Sequence, residues 1–292
     1  MKSELKNITA MLIFGTIGIF VKNINLTSKE IAVLRGVIGS LFLITVMMFS
    51  KEKTSFSEIR KNIKILLFSG IGVGLNWIFL FQAYKYTTVS IATLSYYCAP
   101  IFVTLLSPIV LKEKLSFVKI ICICGAMFGM VCIVGNSSAD SENYNHILGV
   151  AYGLSAAVFY ASVVLMNKFI KNLRGIETTV TQLVLASIVL IPYVIFTTGF
   201  DFSKMTNVSA AYLIILGIVH TGFAYFLYFS SLKELKGQTI AVLSYIDPIF
   251  AVIISSIFLG ESMSILQIIG GVLILGSTFI SENQRVLKKF IN

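Results

Sequence analysis

The stretch at residues 238–264 reads QTIAVLSYIDPIFAVIISSIFLGESMS, and it aligns without a gap with residues 90–116, SIATLSYYCAPIFVTLLSPIVLKEKLS. Both stretches contain a tyrosine, a Pro-Ile-Phe triplet and, after an apolar run, the pattern Leu-x-Glu-x-x-Ser. The identical pairs include Tyr97 and Tyr245, Pro100 and Pro248, Ile101 and Ile249, Phe102 and Phe250, Ser107 and Ser255, Leu111 and Leu259, Glu113 and Glu261, and Ser116 and Ser264. Self-similarity at a fixed spacing indicates an internal repeat. The chain is therefore predicted to consist of two similar halves, residues 1–136 and 147–292.

The composition is that of a protein whose main solvent is lipid. Of the 292 residues, 57% are hydrophobic and 12% are charged, whereas about a quarter of the residues in a soluble domain are charged. Many apolar runs approach the roughly 20 residues that a helix needs to cross a bilayer. They predict an all-α integral membrane protein with ten transmembrane helices, spans 1 to 10, at about 7–24, 31–49, 64–84, 88–110, 117–135, 147–168, 177–198, 210–231, 238–259 and 264–281.

Each half contains five of these spans, which is an odd number. The second half therefore enters the membrane from the side opposite to the first, and the two five-helix repeats are inverted. Inverted repeats around a site at the bilayer midplane are a common construction among transporters that open alternately to the two sides.

Basic residues predict the orientation. They collect in the segments that precede span 1, follow span 10, or join spans 2 and 3, 4 and 5, 6 and 7, and 8 and 9. Because basic loops remain in the cytoplasm, both termini are predicted to be cytoplasmic, in a plasma or inner membrane. The charges are dispersed between spans rather than collected on one surface, so no nucleic acid partner is expected. The oligomeric state is not predicted.

The two repeated prolines predict kinks in spans 4 and 9. Proline has no N–H, so Pro248 leaves the carbonyl of Ser244 without its helical donor, and Pro100 does the same to the carbonyl of Tyr96. In hydrocarbon such carbonyls are tolerated only against protein, water or ligand, so both kinks are expected to face the bundle interior. Asp247 lies beside one kink, close to the bilayer centre.

A carboxylate at this depth is expensive, and it indicates a functional site. Ser244, Asp247, Ala251 and Ser255 follow a helical spacing that places them on one face, which would line a lumen. Asp247 is predicted to bind solute or a coupling proton; the alternative is a protonated or backbone-bonded aspartate that stabilises the kink. Ser116 and Ser264, which follow Glu113 and Glu261, are predicted to cap the next helices.

His220 is predicted to lie at a depth similar to that of Asp247. Two interpretations remain open: the histidine meets the aspartate and couples transport to protons, or it is neutral and bonded to a neighbouring helix. Arg35, near the outer end of span 2, either extends to the membrane surface or holds an anionic group, such as a substrate carboxylate, in an outward-facing vestibule.

Polar-tipped aromatic residues lie at membrane depth instead of at the interfaces. An aromatic pocket of this kind suits an aromatic or cationic solute, and the alternative is packing with hydrogen bonds between helices. Together with an asparagine at the same depth, these candidates for solute binding are Asn76, Trp77, Tyr96, Tyr97, Tyr160, Tyr225 and Tyr245.

The repeated Pro and Leu-x-Glu stretches, together with HTGFAYFLYFSSLKELKGQTIAVLSYIDPIFAVIISSIFLGE at residues 220–261, resemble the EamA family of the drug/metabolite transporter superfamily. The resemblance covers nearly the whole chain. It implies ten helices, a central cavity lined by both halves, and export of small metabolites or amino acids. The family often has Glu-Pro where this chain has Asp247-Pro248.

The predicted function is secondary transport, as an exporter, of a small organic metabolite that is amino-acid-like or drug-like, with proton coupling or exchange left open. No phosphate-binding loop is present, so ATP is not expected to drive it, and neither a cofactor nor a metal site is expected. The alternatives are an intramembrane enzyme, which would need a second carboxylate or a serine nucleophile motif, and a membrane scaffold that does not transport.

Overall fold

A computed structural model describes residues 2–49, 54–112, 115–135, 144–197, 199–232, 234–235 and 237–282. The regular structure in these ranges is helical. Ten spans follow one another, four of them interrupted: Ser3–Gly15 with Ile17–Lys22, Ser28–Phe49, Ile63–Tyr86, Val89–Tyr96 with Ala99–Val110, Phe117–Gly135, His146–Asn167, Gly175–Thr197, Asn207–Ile215 with Leu216–Phe223 and Ala224–Leu232, Gly237–Ser244 with Ile246–Leu259, and Ile265–Glu282.

The structure confirms the prediction of an all-α integral membrane fold with ten helices. Within the described ranges, nine helices are long and apolar enough to cross a membrane, and Ile265–Ser281 is a shorter apolar helix in the position of span 10. Observed and predicted span ends agree to within a few residues. A short helix, Phe56–Lys61, precedes span 3 and was not predicted.

Two predicted helix starts are capped as expected. The hydroxyl of Ser116 accepts the amide N–H of Lys119, and the hydroxyl of Ser264 accepts that of Gln267. In turn, the side-chain oxygen of Gln267 accepts the amide N–H of Ser264 at 2.9 Å, which completes a reciprocal cap. Glu113 lies outside the described residues.

The contacts made by spans of the first half match contacts made by the equivalent spans of the second half. Span 3 packs against spans 6 and 7, and its counterpart span 8 packs against spans 1 and 2. Span 4 contacts span 6 as span 9 contacts span 1, while spans 5 and 10 form one pair and spans 2 and 7 another. Each of these contacts has a partner contact in which every span is replaced by its repeat equivalent.

Two buried glutamates show this relation at opposite ends of the bundle. Glu30 and Glu177 begin spans 2 and 7, and each accepts the backbone N–H of the residue three positions before it. The second carboxylate oxygen of Glu30 accepts the N–H of Asp201, from the loop between spans 7 and 8, at 2.7 Å. That of Glu177 accepts the N–H of Ser55, before span 3, at 3.0 Å. Each half therefore caps its second helix and holds the loop of the other half.

Loops on one side of the bundle are bonded to one another. Asn25, between spans 1 and 2, donates its N–H to Ser209 at the start of span 8, and Thr87, between spans 3 and 4, bonds His146 at the start of span 6. On the other side, Asn62 before span 3 bonds the carbonyl of Lys171. The chain thus alternates between two faces, as ten consecutive crossings require. We call the side with the loops that follow odd-numbered spans, where Asn25 and Thr87 lie, the odd-loop face. The side with the loops that follow even-numbered spans, where Asn62 lies, is the even-loop face.

Spans 5 and 10 approach so closely that their backbones touch. A Cβ placed on Gly270 would lie 2.5 Å from the carbonyl oxygen of Gly129, and one on Gly129 would lie 2.7 Å from the carbonyl oxygen of Gly270. Backbone atoms cannot move aside as a side-chain end can. Only glycine therefore fits at both positions, and small residues at a helix interface permit this close packing in membranes.

We expect Gly270→Ala to lower the free energy of unfolding by about 1–3 kcal/mol, because the new methyl group overlaps a backbone carbonyl. Gly276 lies in the same span and has no atom within 4 Å of its ideal Cβ position. The matched variant Gly276→Ala should therefore be neutral or slightly stabilising, since alanine favours helix over glycine. Thermal unfolding of both purified proteins in nanodiscs measures the difference. Equal melting temperatures would contradict the tight contact.

Candidate functional site

Four spans are interrupted near mid-membrane. Span 1 breaks at Thr16, span 4 at Tyr97 and Cys98, and span 9 at Tyr245, while span 8 winds as a π-helix over Leu216–Phe223. Widened turns of this kind are frequent at functional sites. The repeated prolines lie just after the breaks in spans 4 and 9.

Pro100 and Pro248 occupy the first turn of the second segment of their spans. Proline is tolerated in a first turn because the missing N–H would have no helical acceptor there. The two spans therefore do not bend smoothly; each stops and restarts, and the last carbonyls of the first segment are released from the helical pattern.

The breaks of spans 4 and 9 meet through side chains. The hydroxyl of Tyr97 lies 2.7 Å from a carboxylate oxygen of Asp247 and 3.4 Å from the carbonyl oxygen of Ser244, the carbonyl that Pro248 cannot serve. A hydroxyl has one hydrogen, so its main bond is the short one to the carboxylate. Tyr97 therefore satisfies polar groups that the broken turn of span 9 exposes.

The predicted polar face of span 9 points into the bundle. Ala251 and Ser255 are buried, and the Ser255 hydroxyl lies 2.8 Å from that of Ser90 in span 4. Asp247 is half-buried, and its backbone carbonyl packs against Gly15 at the break of span 1. This carboxylate is therefore held between spans 1 and 4.

His220 has partners other than Asp247. Its Nε2 lies 2.8 Å from the hydroxyl of Thr16, and its Nδ1 lies 3.3 Å from the carbonyl oxygen of Ile215. A neutral ring with its proton on Nδ1 would donate to the carbonyl of Ile215 and accept from the Thr16 hydroxyl, whose single hydrogen has a second acceptor in the carbonyl of Ile13, also at 2.8 Å. Of the two interpretations of His220, the structure agrees with the one in which the ring is bonded to a neighbouring helix, since its Nε2 reaches Thr16 of span 1.

Arg35 is not at the membrane surface. The side chain is only 2% exposed; its Nε donates to the hydroxyl of Thr221 at 2.6 Å. Its guanidinium carbon lies 4.3 Å from the centre of the Trp77 ring. The interpretation that Arg35 extends to the outer surface is therefore wrong. Span 2 lies too close to the π-helix for that: a Cβ on Gly39 would lie 2.4 Å from a methyl carbon of Thr221.

The other candidates divide into two groups. Tyr96 stacks edge to face on Tyr97 and on Tyr160, which places three tyrosine rings beside the break of span 4. Tyr225 packs on Phe14 of span 1.

Two candidates point away from this region. The side-chain amide of Asn76 donates to the carbonyl of Ala156, at 2.8 Å, and so joins spans 3 and 6. Tyr245 packs edge to face on Phe279 of span 10.

Sequence reasoning missed Thr16 and Thr221. Both are single hydroxyls in apolar spans, and their importance comes from the helix breaks, which no sequence pattern announced. Thr221 stands directly after His220, and its hydroxyl also donates to the carbonyl of Leu216, five residues earlier in the π-helix. In the part of the chain that the structure describes, no group of three or more His, Cys, Asp or Glu residues is placed to hold a metal ion.

A buried ion pair closes the odd-loop face. Lys22, at the end of span 1, lies 2.6 Å from Glu261, and also bonds the hydroxyl of Tyr144 before span 6. The carboxylate of Glu261 accepts the N–H groups of Val89 and Ser90, which begin span 4. Anions are favoured at a helix N-terminus, so one side chain joins both halves. We call this group the odd-face latch.

The chain is similar to known membrane transporters over nearly its full length. A family model described as "EamA-like transporter family" matches residues 1–135 and 147–282. The uncharacterized transporter YxxF of Bacillus subtilis is 31% identical over 96% of this chain and 89% of its own. An uncharacterized transporter of Archaeoglobus fulgidus is 25% identical over 95% of each chain. A crystal structure described only as that of a protein shares the fold, with a TM-score of 0.63 at 17% identity over 96% of this chain and 97% of its own.

The odd-face latch predicts a coupling between Lys22 and Glu261. Lys22→Met should lower stability by about 1–3 kcal/mol, because it removes a cation from a mostly buried carboxylate. The double variant Lys22→Met/Glu261→Gln should lose less than the sum of the two single variants. Thermal unfolding of the four proteins gives the coupling. Lys61→Met is the control, because the Lys61 side chain in its pair with Glu58 is 65% exposed, and exposed pairs contribute little. Additive losses would contradict the latch.

Proposed function

The chain belongs to the EamA-like transporter family, and on that premise we propose that it carries a small organic solute by alternating access, with the solute site at the broken turns of spans 4 and 9. The observation that carries this proposal is the bond between Tyr97 and Asp247, which joins the broken turns of spans 4 and 9, the equivalent spans of the two repeats. A multi-pass membrane transporter needs such a site where both halves contribute, because relative motion of the halves then exposes it to either side.

Asp247 is proposed as the residue that binds a coupling proton or a cationic group of the solute. Its carboxylate is half-buried and has a single short side-chain partner, the hydroxyl of Tyr97. A carboxylate in hydrocarbon is costly unless it is neutralised. Protonation from one side and release to the other would therefore alternate with the state of the bundle. Proton coupling, exchange and export of an amino-acid-like or drug-like metabolite belong to this proposal.

The proposed arrangement has two halves, residues 1–136 and 147–292, in a plasma or inner membrane with both termini cytoplasmic. The positive-inside rule supports this orientation, since the loops of the even-loop face carry most of the basic residues. The N-terminus also lies on that face, where Asn7 donates to the hydroxyl of Ser231, which precedes the loop between spans 8 and 9. The odd-face latch would then close the outer side.

A catalytic function has less support. The relatives are named as transporters, which points away from an enzyme. Two further buried carboxylates, Glu30 and Glu177, cap helices at the two ends of the bundle instead of meeting Asp247.

We expect Asp247→Asn to abolish transport at every pH, because the amide neither binds a proton nor attracts a cation. The measurement is counterflow of labelled solutes into proteoliposomes, with a panel of amino acids, organic acids and amines. Asp201→Asn is the matched control; Asp201 is exposed in the loop before span 8, and full activity is expected.

Tyr97→Phe tests the partner of the carboxylate. Loss of one hydrogen bond to a charged group should slow counterflow by about 10-fold to 100-fold, without abolishing it.

Unchanged counterflow in Asp247→Asn would remove the carboxylate from the mechanism. The absence of exchange for every solute in the wild-type protein would contradict transport of these solute classes.

A further inference from the structure

Arg35 is a buried cation among aromatic rings. Its guanidinium lies 4.3 Å from the ring centre of Trp77 and 5.5 Å from that of Phe81. Phe81 in turn stacks on Tyr84, with ring centres 6.5 Å apart. The only hydrogen bond it makes to the described residues runs from Nε to Thr221.

Four of the five N–H groups of this guanidinium donate to none of the described residues. An arginine side chain carries one N–H on Nε and four on its two terminal nitrogens. In the described ranges, no carboxylate lies within ion-pair distance of Arg35, and its terminal nitrogens are not among the polar atoms that are fully enclosed without a partner. They therefore border accessible space inside the bundle, although the whole side chain is only 2% exposed.

An unpaired cation at this depth destabilises the fold, so a purely structural role does not account for Arg35. Buried cations in proteins are normally paired, because loss of hydration costs several kcal/mol, on the order of 3 kcal/mol even on insertion scales. The aromatic rings offset part of this cost. They also orient the planar group, leaving its terminal nitrogens free for a ligand. A planar fork of paired N–H groups matches a carboxylate in two parallel hydrogen bonds.

We propose that Arg35 is the anion-binding end of the solute site, and that the solute carries one carboxylate on an apolar or aromatic body. This rests on the proposed function. One guanidinium neutralises one negative charge, which fits a carboxylate better than a dianionic phosphate. The nearest lysines of the adjoining span ends have other partners: Lys22 binds Glu261, and Lys85 binds the carbonyl of Leu26.

The surroundings of Arg35 connect it with Asp247. Phe81, whose ring faces the guanidinium, stacks on Tyr84, and the Tyr84 hydroxyl lies 3.5 Å from that of Thr93, one turn before Tyr97 in span 4. This series of contacts leads from Arg35 to the break of span 4, where Tyr97 bonds Asp247, and a carboxylate bound at Arg35 would extend its body along these rings.

Trp77 gives a direct test, because it is the only tryptophan in the chain and lies against the proposed anion site. The full-length protein in nanodiscs is titrated while Trp77 fluorescence is recorded. The probes are 4-methylpentanoate, its neutral amide, the corresponding amine, and inorganic phosphate, none of which absorbs at the wavelengths used. We expect a saturable change with the carboxylate and none with the amide, the amine or phosphate.

Variants link the signal to Arg35. Arg35→Gln should weaken carboxylate binding at least about tenfold, because a charge-assisted pair is lost. Arg35→Lys should bind with intermediate affinity, since it keeps the charge but not the fork. Arg60→Gln removes the same charge from an exposed position before span 3 and should bind as the wild type does. If Arg35→Gln does not remain monodisperse, the comparison of Arg35→Lys with Arg60→Gln decides.

Three results would overturn the inference. They are equal affinity for the amide and the carboxylate, a stronger response to phosphate than to the carboxylate, and unchanged affinity in the Arg35 variants. Asp247→Asn separates this inference from the proposed function, because it should bind the carboxylate with at least wild-type affinity while counterflow is lost. Carboxylate binding at Arg35 without counterflow of any carboxylate would contradict the proposed function and leave the anion site standing. Carboxylate counterflow that is unchanged in the Arg35 variants would contradict the anion site and leave the proposed function standing.

Discussion

In hydrocarbon, a backbone polar group that leaves the helical pattern must find its partner within the protein. This constraint organises the centre of the molecule. Spans 1, 4, 8 and 9 are interrupted, and their breaks are turned toward one another and linked by side chains, Thr16 to His220 and Tyr97 to Asp247. The region that departs most from regular helix is therefore also the region where polar groups concentrate, and where a solute can compete for them.

The two central charges are kept apart instead of being joined in an ion pair. Asp247 is held by a tyrosine hydroxyl, and Arg35 by a threonine hydroxyl and two aromatic rings. A direct pair would neutralise both and leave nothing for a ligand to satisfy. Because they are separate, each group keeps hydrogen-bonding capacity that a ligand could use. The neighbouring aromatic rings supply contact area at low entropic cost. This separation supports the binding site that we propose between the two groups.

Sequence patterns were sufficient for the spans, the repeat and the helix caps, because these depend on local composition. Apolar runs placed all ten spans, and Ser264 capped its helix as its position implied. The environment of Arg35 was not accessible in this way: distance from a span end suggested the surface, whereas the close contact of Gly39 with Thr221 buries the side chain. His220 and Glu261 likewise have partners in spans far away in the sequence. Such pairings depend on which helices touch, and hydropathy carries no information about that.

The glycine contact between spans 5 and 10 has a consequence for motion. Exchange of the two halves maps this pair of spans onto itself, whereas it maps the contact of spans 4 and 6 onto a different one, between spans 9 and 1. In a cycle where the halves trade conformations, the pair can stay still while its surroundings rearrange. In such a cycle, the backbone contact of Gly129 and Gly270 would serve as the pivot. This contact is stiff because it contains no side chain that could change rotamer.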